Sequence, residues 1–229
     1  MKSPSKNCVI FTTKLDDPLR EFIRLRDNCY VVKESLDGFE DKEKCVRIAA
    51  KKKCDFFVTY SDKFISFGRL VGLNLLDLYK FKIESKESTI SITKKNNSLP
   101  PELNSRFLVA TFNTSEKMNN LFIHLLGSKI DKIDLSAIEY AFILDRKDEI
   151  YSFRYVRVDD DKFTEIGPSF KMSLVNDYFD DEVAELTRVV VKKEQKNVSK
   201  TVTKDTVGRV YIEKQDLKDV KVRKSVKNK

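Results

Sequence analysis

The 229-residue chain has one histidine, no tryptophan, and four cysteines that never form a CxxC pair. A zinc site needs clustered Cys and His ligands, and Cys8, Cys29, Cys45, Cys54 and the lone His124 are not spaced to supply one. The cysteines read as buried, reduced thiols. No apolar run approaches the roughly 18–20 residues of a membrane helix. The longest apolar-leaning stretch, Phe64 to Leu78, is broken by Arg69, Asn74 and Asp77. Met1 to Asn7 is polar, with no apolar segment behind it, which predicts an intracellular protein without a signal peptide. Neither GxxxxGK[ST] nor GxGxxG occurs, so no known phosphate cradle is present. Gly68 and Gly72 form a GxxxG outside any apolar 20-mer and read as a tight turn.

Catalytic constellations are missing too. A Ser-His-Asp or Cys-His site would have to use His124, which sits beside Leu125 in an amphipathic segment and reads as structural. Acids cluster at Asp159 to Asp161, and again at Asp177, Asp180, Asp181 and Glu182. The first group reads as a β-turn and the second as a helix start, rather than as a two-metal nuclease site. No catalytic residue, metal or cofactor is therefore assigned, and the chain is read as a non-enzyme. Tyr151, Phe153 and Tyr155 alternate along one strand beside Arg154 and Arg157. Stacking platforms for single-stranded RNA look like this. Core strands do as well, and the core reading is favoured.

What is present is charge, unevenly placed. The formal net charge is +8. Residues 192–229 hold 13 Lys/Arg against 5 Asp/Glu, so the tail carries the whole excess, and residues 1–191 are neutral. Such a tail is a footprint of polyanion binding. A solvating tail or a nuclear-import signal is the plainer alternative. Spaced apolar residues (Val207, Val210, Tyr211, Ile212, Leu217, Val220 and Val222) are too many for a purely solvating segment. The tail is expected to be irregular when free and to order on a partner.

Along the body, strands are predicted at Asn7 to Thr12, Cys29 to Val32, Asp55 to Tyr60, Lys63 to Phe67 and Leu75 to Ile83, with a possible edge strand at Thr89 to Thr93. Helices are predicted after Asp16-Asp17-Pro18 and over Asp41 to Lys53. The second half opens with a strand at Arg106 to Asn113. Thr114 or Ser115 caps a helix that stops at Gly127. Strands follow at Ile138 to Leu144, Glu149 to Val158, and Phe163 to Val175, the last interrupted by Gly167-Pro168. Turns are read at Asp145 to Asp148 and Asp159 to Asp161, and a short helix at Asp180 to Arg188. A weak repeat connects Val9 to Thr13 and the following helix with Leu108 to Phe112 and its helix. It suggests two similar α/β halves meeting near residue 100.

Ile138 to Val175 carries a more specific pattern. Ile150-Tyr151-Ser152-Phe153-Arg154 is followed by Thr164-Glu165-Ile166-Gly167-Pro168-Ser169-Phe170. This resembles the C-terminal half of the Brix domain, where an "IxFR" element precedes an "EIGPxF" element. Phe67-Gly68-Arg69-Leu70 through Leu75-Leu76-Asp77-Leu78 resembles a further region of one branch of that family. So does the tail, at Lys196-Asn197-Val198-Ser199, Gly208-Arg209-Val210-Tyr211, Lys214-Gln215-Asp216-Leu217 and Val222-Arg223-Lys224.

The resemblance implies a Brix domain over residues 1–191, with α/β halves at about 7–98 and 104–191 and mixed sheets, followed by an extended basic tail over 192–229. Brix proteins are non-catalytic ribosome-assembly factors. The branch implies a nucleolar role in maturing the large subunit and binding to large-subunit rRNA. It also implies a heterodimer with the regulator of ribosome synthesis protein and recruitment of 5S rRNA with its two bound ribosomal proteins; no membrane partner is expected, because no apolar run is long enough to span one. Family members carry a basic N-terminal arm, here reduced to Met1 to Asn7, so RNA contact is expected to fall on the tail. The expected RNA-binding residues are Lys192, Lys193, Lys196, Lys200, Lys204, Arg209, Tyr211, Lys214, Gln215, Lys218, Lys221, Arg223 and Lys224. Gly167 and Pro168 are the structural motif. Other readings stay open: another Brix-family rRNA-processing factor, or a protein-interaction scaffold with a nuclear-import tail.

Overall fold

The computed structural model describes residues 7–25, 29–101, 107–127, 138–159 and 162–187, and the backbone of 198–200 and 206–208. The chain divides into two units, residues 1–188 and 189–229.

In the first unit the elements run β1 (Cys8–Phe11), α1 (Asp17–Arg24), β2 (Cys29–Val32), α2 (Lys42–Lys51), β3 (Phe56–Tyr60), β4 (Phe64–Val71), β5 (Asn74–Glu87), α3 (Thr89–Asn96), β6 (Phe107–Phe112), α4 (Glu116–Leu126), β7 (Tyr140–Lys147), β8 (Ile150–Asp159), β9 (Lys162–Phe179) and α5 (Asp181–Thr187). This is an α/β fold. All nine strands join one mixed sheet in the order β2-β1-β3-β4-β5-β9-β8-β7-β6. The pairs β2·β1, β1·β3 and β6·β7 are parallel, and the pairs between are antiparallel. The strand-cap-helix pattern read at Val9 recurs at Leu108. In the first half β2 and α2 intervene before the antiparallel meander β3-β4-β5, whereas α4 leads directly into β7-β8-β9; in both halves the first meander strand lies parallel to the strand that precedes the first helix. The two meanders meet along β5 and β9, from Asp77↔Phe179 to Glu87↔Ser169.

The helix starts follow local chemistry. Asp16 caps α1 by accepting from the Leu19 N–H at 3.1 Å, and Pro18 lies in the first turn, where no N–H is needed. Ser115 caps α4 through the Met118 N–H. Gly127 ends α4 in extended backbone; a Cβ there would lie 2.6 Å from the Ile123 carbonyl oxygen.

Helices α1 and α4 cover one face of the sheet. Leu19, Phe22, Leu121, Phe122 and Leu125 pack there against Phe67, Phe142, Phe153 and Phe170. Phe22 makes ring contacts to four of these phenylalanines, which places it at the middle of the core. Such offset aromatic contacts each add about 0.5–1.5 kcal/mol beyond burial. Tyr151, Phe153 and Tyr155 lie in this core rather than on a stacking platform. On the other face α2 seats Cys45 and Ala49 over Val9, Phe11, Phe57 and Leu78. The remaining part of that face carries Ala141, Ile143 and Val156 with Leu108 and Val158, a cluster made of strand residues alone.

Four expectations are corrected. Thr89 to Thr93 is helix, not edge strand. Its β-branched residues favour strand, but Ser88 caps it, the Glu21 carboxylate accepts from the Thr89 N–H at 2.7 Å, and Ile92 is buried while Ile90 points outward. Asp145 to Lys147 continue β7, so the turn is only Asp148-Glu149. Both turn residues have positive φ, as a two-residue type I′ hairpin requires. Gly167-Pro168 does not interrupt the last strand: β9 runs for 18 residues through it. Gly68 lies inside β4 opposite Phe57, whose ring fills the space a Cβ would need; only Gly72 takes the hairpin turn. The turn expected at Asp159 to Asp161 falls on residues 160–161, outside the described residues.

In the second unit, β10 (Val198–Lys200) pairs antiparallel with β11 (Thr206–Gly208), with Ser199 opposite Val207. The tail therefore contains a short ladder where the sequence suggested irregular chain. Val198, Thr206 and Val207 are β-branched and favour it.

Candidate functional site

Of the residues expected to bind RNA, Lys200 lies in β10, where only backbone is described. Lys192, Lys193, Lys196, Lys204, Arg209, Tyr211, Lys214, Gln215, Lys218, Lys221, Arg223 and Lys224 lie outside the described residues. The site's geometry is therefore that of the body that carries the tail.

Gly167 and Pro168 are placed where a joint is needed. The ladder from β9 to β8 shifts register between Arg154 and Val156, and the ladder from β9 to β5 ends at Ser169. Pro168, which has no N–H to donate, thus falls at a bulge beyond the end of β5. Gly167 has φ +78°, and a Cβ there would lie 2.9 Å from both Thr89 Cα and Ile92 Cδ1. The missing side chain lets α3 sit directly on β9. Asn96 Nδ2 then donates to the Glu165 carbonyl at 2.8 Å. The "EIGPxF"-like element is a seat for α3, with Ile166 and Phe170 buried in the core beneath it.

Two polar clusters inside the body resemble chemistry. In the first, Lys86 Nζ donates to Asp16 Oδ2 at 2.5 Å and to Tyr60 Oη at 2.8 Å, and Tyr60 Oη donates to the same Asp16 oxygen at 2.5 Å. Burial alone would raise Asp16, but Lys86, Tyr60 and the Leu19 N–H offset it and leave the carboxyl below its ordinary value. Burial and Asp16 push the Tyr60 hydroxyl upward. A base or nucleophile near neutral pH needs the opposite shifts. This cluster therefore ties the α1 cap to β3 and β5.

In the second, Arg69 Nη2 and Nε reach Asp77 Oδ2 and Oδ1 at 2.5 and 3.2 Å, and Asp77 is fully buried. Arg69 Nη1 lies 2.9 Å from His124 Nδ1. A guanidinium can only donate, so Nδ1 accepts and the ring proton sits on Nε2. Burial raises the Asp77 carboxyl to about 6, while Arg69 pulls it down. This chain of contacts fastens α4 to β4 and β5. Sequence reasoning placed His124 as structural but did not link it to the Arg69 and Asp77 motif. The residues are 55 and 8 positions apart, and only the tertiary fold joins them.

Cys8, Cys45 and Cys54 are buried and Cys29 is half-buried. Burial pushes the Cys45 thiol up to about 12, with neighbouring acids adding to the shift, so it stays a neutral core residue. Among the described residues no three His, Cys, Asp or Glu side chains gather in a way that could hold a metal ion. No helix there is long and apolar enough to cross a membrane.

No protein-family model matches the chain. The chain is similar to a ribosome production factor 2 homolog of Caenorhabditis elegans. The two are 25% identical over 210 residues, covering 81% of this chain and 71% of that one.

Proposed function

We propose that this protein is a ribosome-biogenesis factor of the large subunit, without catalytic activity, that works in the nucleolus as ribosome production factor 2 does. The observation that carries the reading is the similarity to a ribosome production factor 2 homolog over most of the chain. It is supported by the Brix-like motifs at Ile150 to Phe170 and in the tail, and by the α/β fold.

In this reading residues 192–229 grip rRNA, with Lys and Arg neutralising phosphates and releasing counterions. The body docks a protein partner, the regulator of ribosome synthesis protein, and the pair brings 5S rRNA with its two ribosomal proteins to the maturing particle. Two features favour docking on the second half. Strand β6 pairs with β7 alone, leaving its other edge open among the described residues, and Phe112 on it is exposed. The apolar cluster behind it holds no helix residue, whereas α2 covers the corresponding face of the first half. A partner adding a strand and a helix there would complete the second half.

The test is purification of the tagged protein from cells. 5S rRNA, large-subunit precursor rRNA and the regulator protein are expected to come with it. Small-subunit precursors alone, or no rRNA, would overturn the reading. With purified protein, log affinity for 5S rRNA should fall steeply against log salt, and deletion of residues 192–229 should flatten that slope. An unchanged slope removes the tail from the RNA site.

A further inference from the structure

One surface of the body is unlike the rest and is used by nothing described above. Helix α2 and the β4–β5 turn enclose a groove of about 570 Å³. Its floor is apolar, formed by Val46, Ala50 and Leu75, and Leu73 stands over it with 74% of its surface exposed. Leu73 is in the two-residue turn after Gly72, a place where hairpins ordinarily carry polar or glycine residues. Its exposure leaves apolar surface in water that a ligand could cover.

The rim is basic. Lys42, Arg47 and Lys51 line it, against one acid, Glu43. Lys42 lies 4.7 Å over the Tyr178 ring. Among the described residues neither Arg47 nor Lys51 has a carboxylate within ion-pair distance, whereas Lys14, Lys44, Lys80, Lys86 and Lys95 all do. An apolar floor under a rim of three cations and one acid is complementary to an acidic, amphipathic peptide. Leucine-type side chains would meet the floor and carboxylates would meet Arg47 and Lys51. A nucleic acid would use the rim but leave the floor and Leu73 without a role.

We infer that the α2 groove is a docking site for an acidic segment of a partner polypeptide, separate from the tail and from the open β6 edge. Rim and floor lie in the first half of the chain, so the body could hold a second protein while its other half is occupied.

The probe is a fluorescein-labelled twelve-residue peptide in which leucines are separated by Asp/Glu pairs, with a photo-reactive leucine analogue at its centre. It is titrated against the full-length protein at about 0.3 M salt, where the Debye length is well under 10 Å and exposed tail contacts are screened. Saturable binding is expected, with cross-links falling on residues 42–51 and 71–75. Leu73→Asp should weaken binding about tenfold, as expected for loss of one apolar anchor. Arg47→Glu/Lys51→Glu should weaken it at least as much, and the same peptide with Lys for each acid should not bind. Leu73 is exposed in a turn, so Leu73→Asp should leave the thermal unfolding midpoint unchanged. The inference is overturned by no saturable binding or by cross-links confined to other segments. It is also overturned by binding indifferent to Leu73→Asp, or by a uridine twelve-mer that binds and is lost only with the rim variant, which would make the surface a nucleic-acid contact. Concentration-dependent self-association abolished by Leu73→Asp would assign the groove to a second copy and overturn the inference as well.

Discussion

Replacing Arg69 by methionine removes the cation that accompanies a fully buried Asp77 and leaves a side chain of similar reach. Two unit charges about 3 Å apart attract by roughly 5 kcal/mol at an effective dielectric of about 20. Desolvation offsets part of that for the intact pair, but a stranded carboxylate has no such compensation, and the expected cost is about 3–5 kcal/mol. The pH dependence distinguishes this cause from lost packing. Burial already raises Asp77 to about 6 against an ordinary 3.8, with Arg69 the opposing influence. In Arg69→Met the carboxyl must rise further. Between the unfolded and folded values the native state holds a proton that the unfolded state has lost, so stability falls as pH rises through that window. The wild type should therefore lose stability from about pH 4 to 6 through this group and level off above it. Arg69→Met should keep losing stability above pH 6 and recover as the pH is lowered. Urea unfolding followed by far-ultraviolet circular dichroism, at several pH values between about 5 and 8, reads both. Arg69→Met/Asp77→Leu should return to within about 1–2 kcal/mol of the wild type and lose the extra pH dependence. A cost for Arg69→Met that is below about 1 kcal/mol, or the same at every pH, refutes the argument.

Gly167→Ala should destabilise by about 2–3 kcal/mol in the same assay, because it strains a positive φ and drives a methyl into Thr89 and Ile92. Ile92→Ala in that background should not restore it, since the Thr89 backbone is an equal obstacle. Asp16→Ala should cost about 1–2 kcal/mol at neutral pH through the lost helix cap and the stranded Lys86 and Tyr60. Because the Asp16 carboxyl is held low, its contribution is present above its unfolded value and is lost as pH falls through its folded one. The deficit should narrow below about pH 4, as read by thermal unfolding.

Much of the fold is written locally. Asp16 with Pro18, and Ser115 three residues before Met118, are caps whose hydrogen bonds need only neighbouring backbone. The alternating Tyr151, Phe153 and Tyr155 declare a strand with one buried face, which their core positions bear out. The local pattern misleads where distant residues decide. Thr89 to Thr93 is helical because Glu21 caps it and the bare backbone of Gly167 receives it, and both lie more than 65 positions away. Asp145 looked like a turn residue, yet Asn113 Nδ2 donates to its carboxylate at 3.1 Å and lets it stay in strand. The basic α2 face is not legible locally, because only the fold brings Lys42, Arg47 and Lys51 beside Leu73 and Leu75. Leu73 signalled the groove only once the turn that exposes it was in place.

The seam between the meanders also bears on how the chain is made. Strand β5 is complete when Glu87 leaves the ribosome, but its partner residues on β9 end at Phe179. At about 5–20 residues per second, the 14-residue edge waits roughly 5–18 s for its mate. An unpaired edge of that length is a template for the wrong neighbour. Lys80, Lys82, Glu84 and Lys86 punctuate it and make stacking of two nascent copies electrostatically costly. The chain would thus pass through a vulnerable interval during its own synthesis. Substituting the exposed Lys82 should appear first as aggregation during synthesis, before any loss of stability in the finished protein.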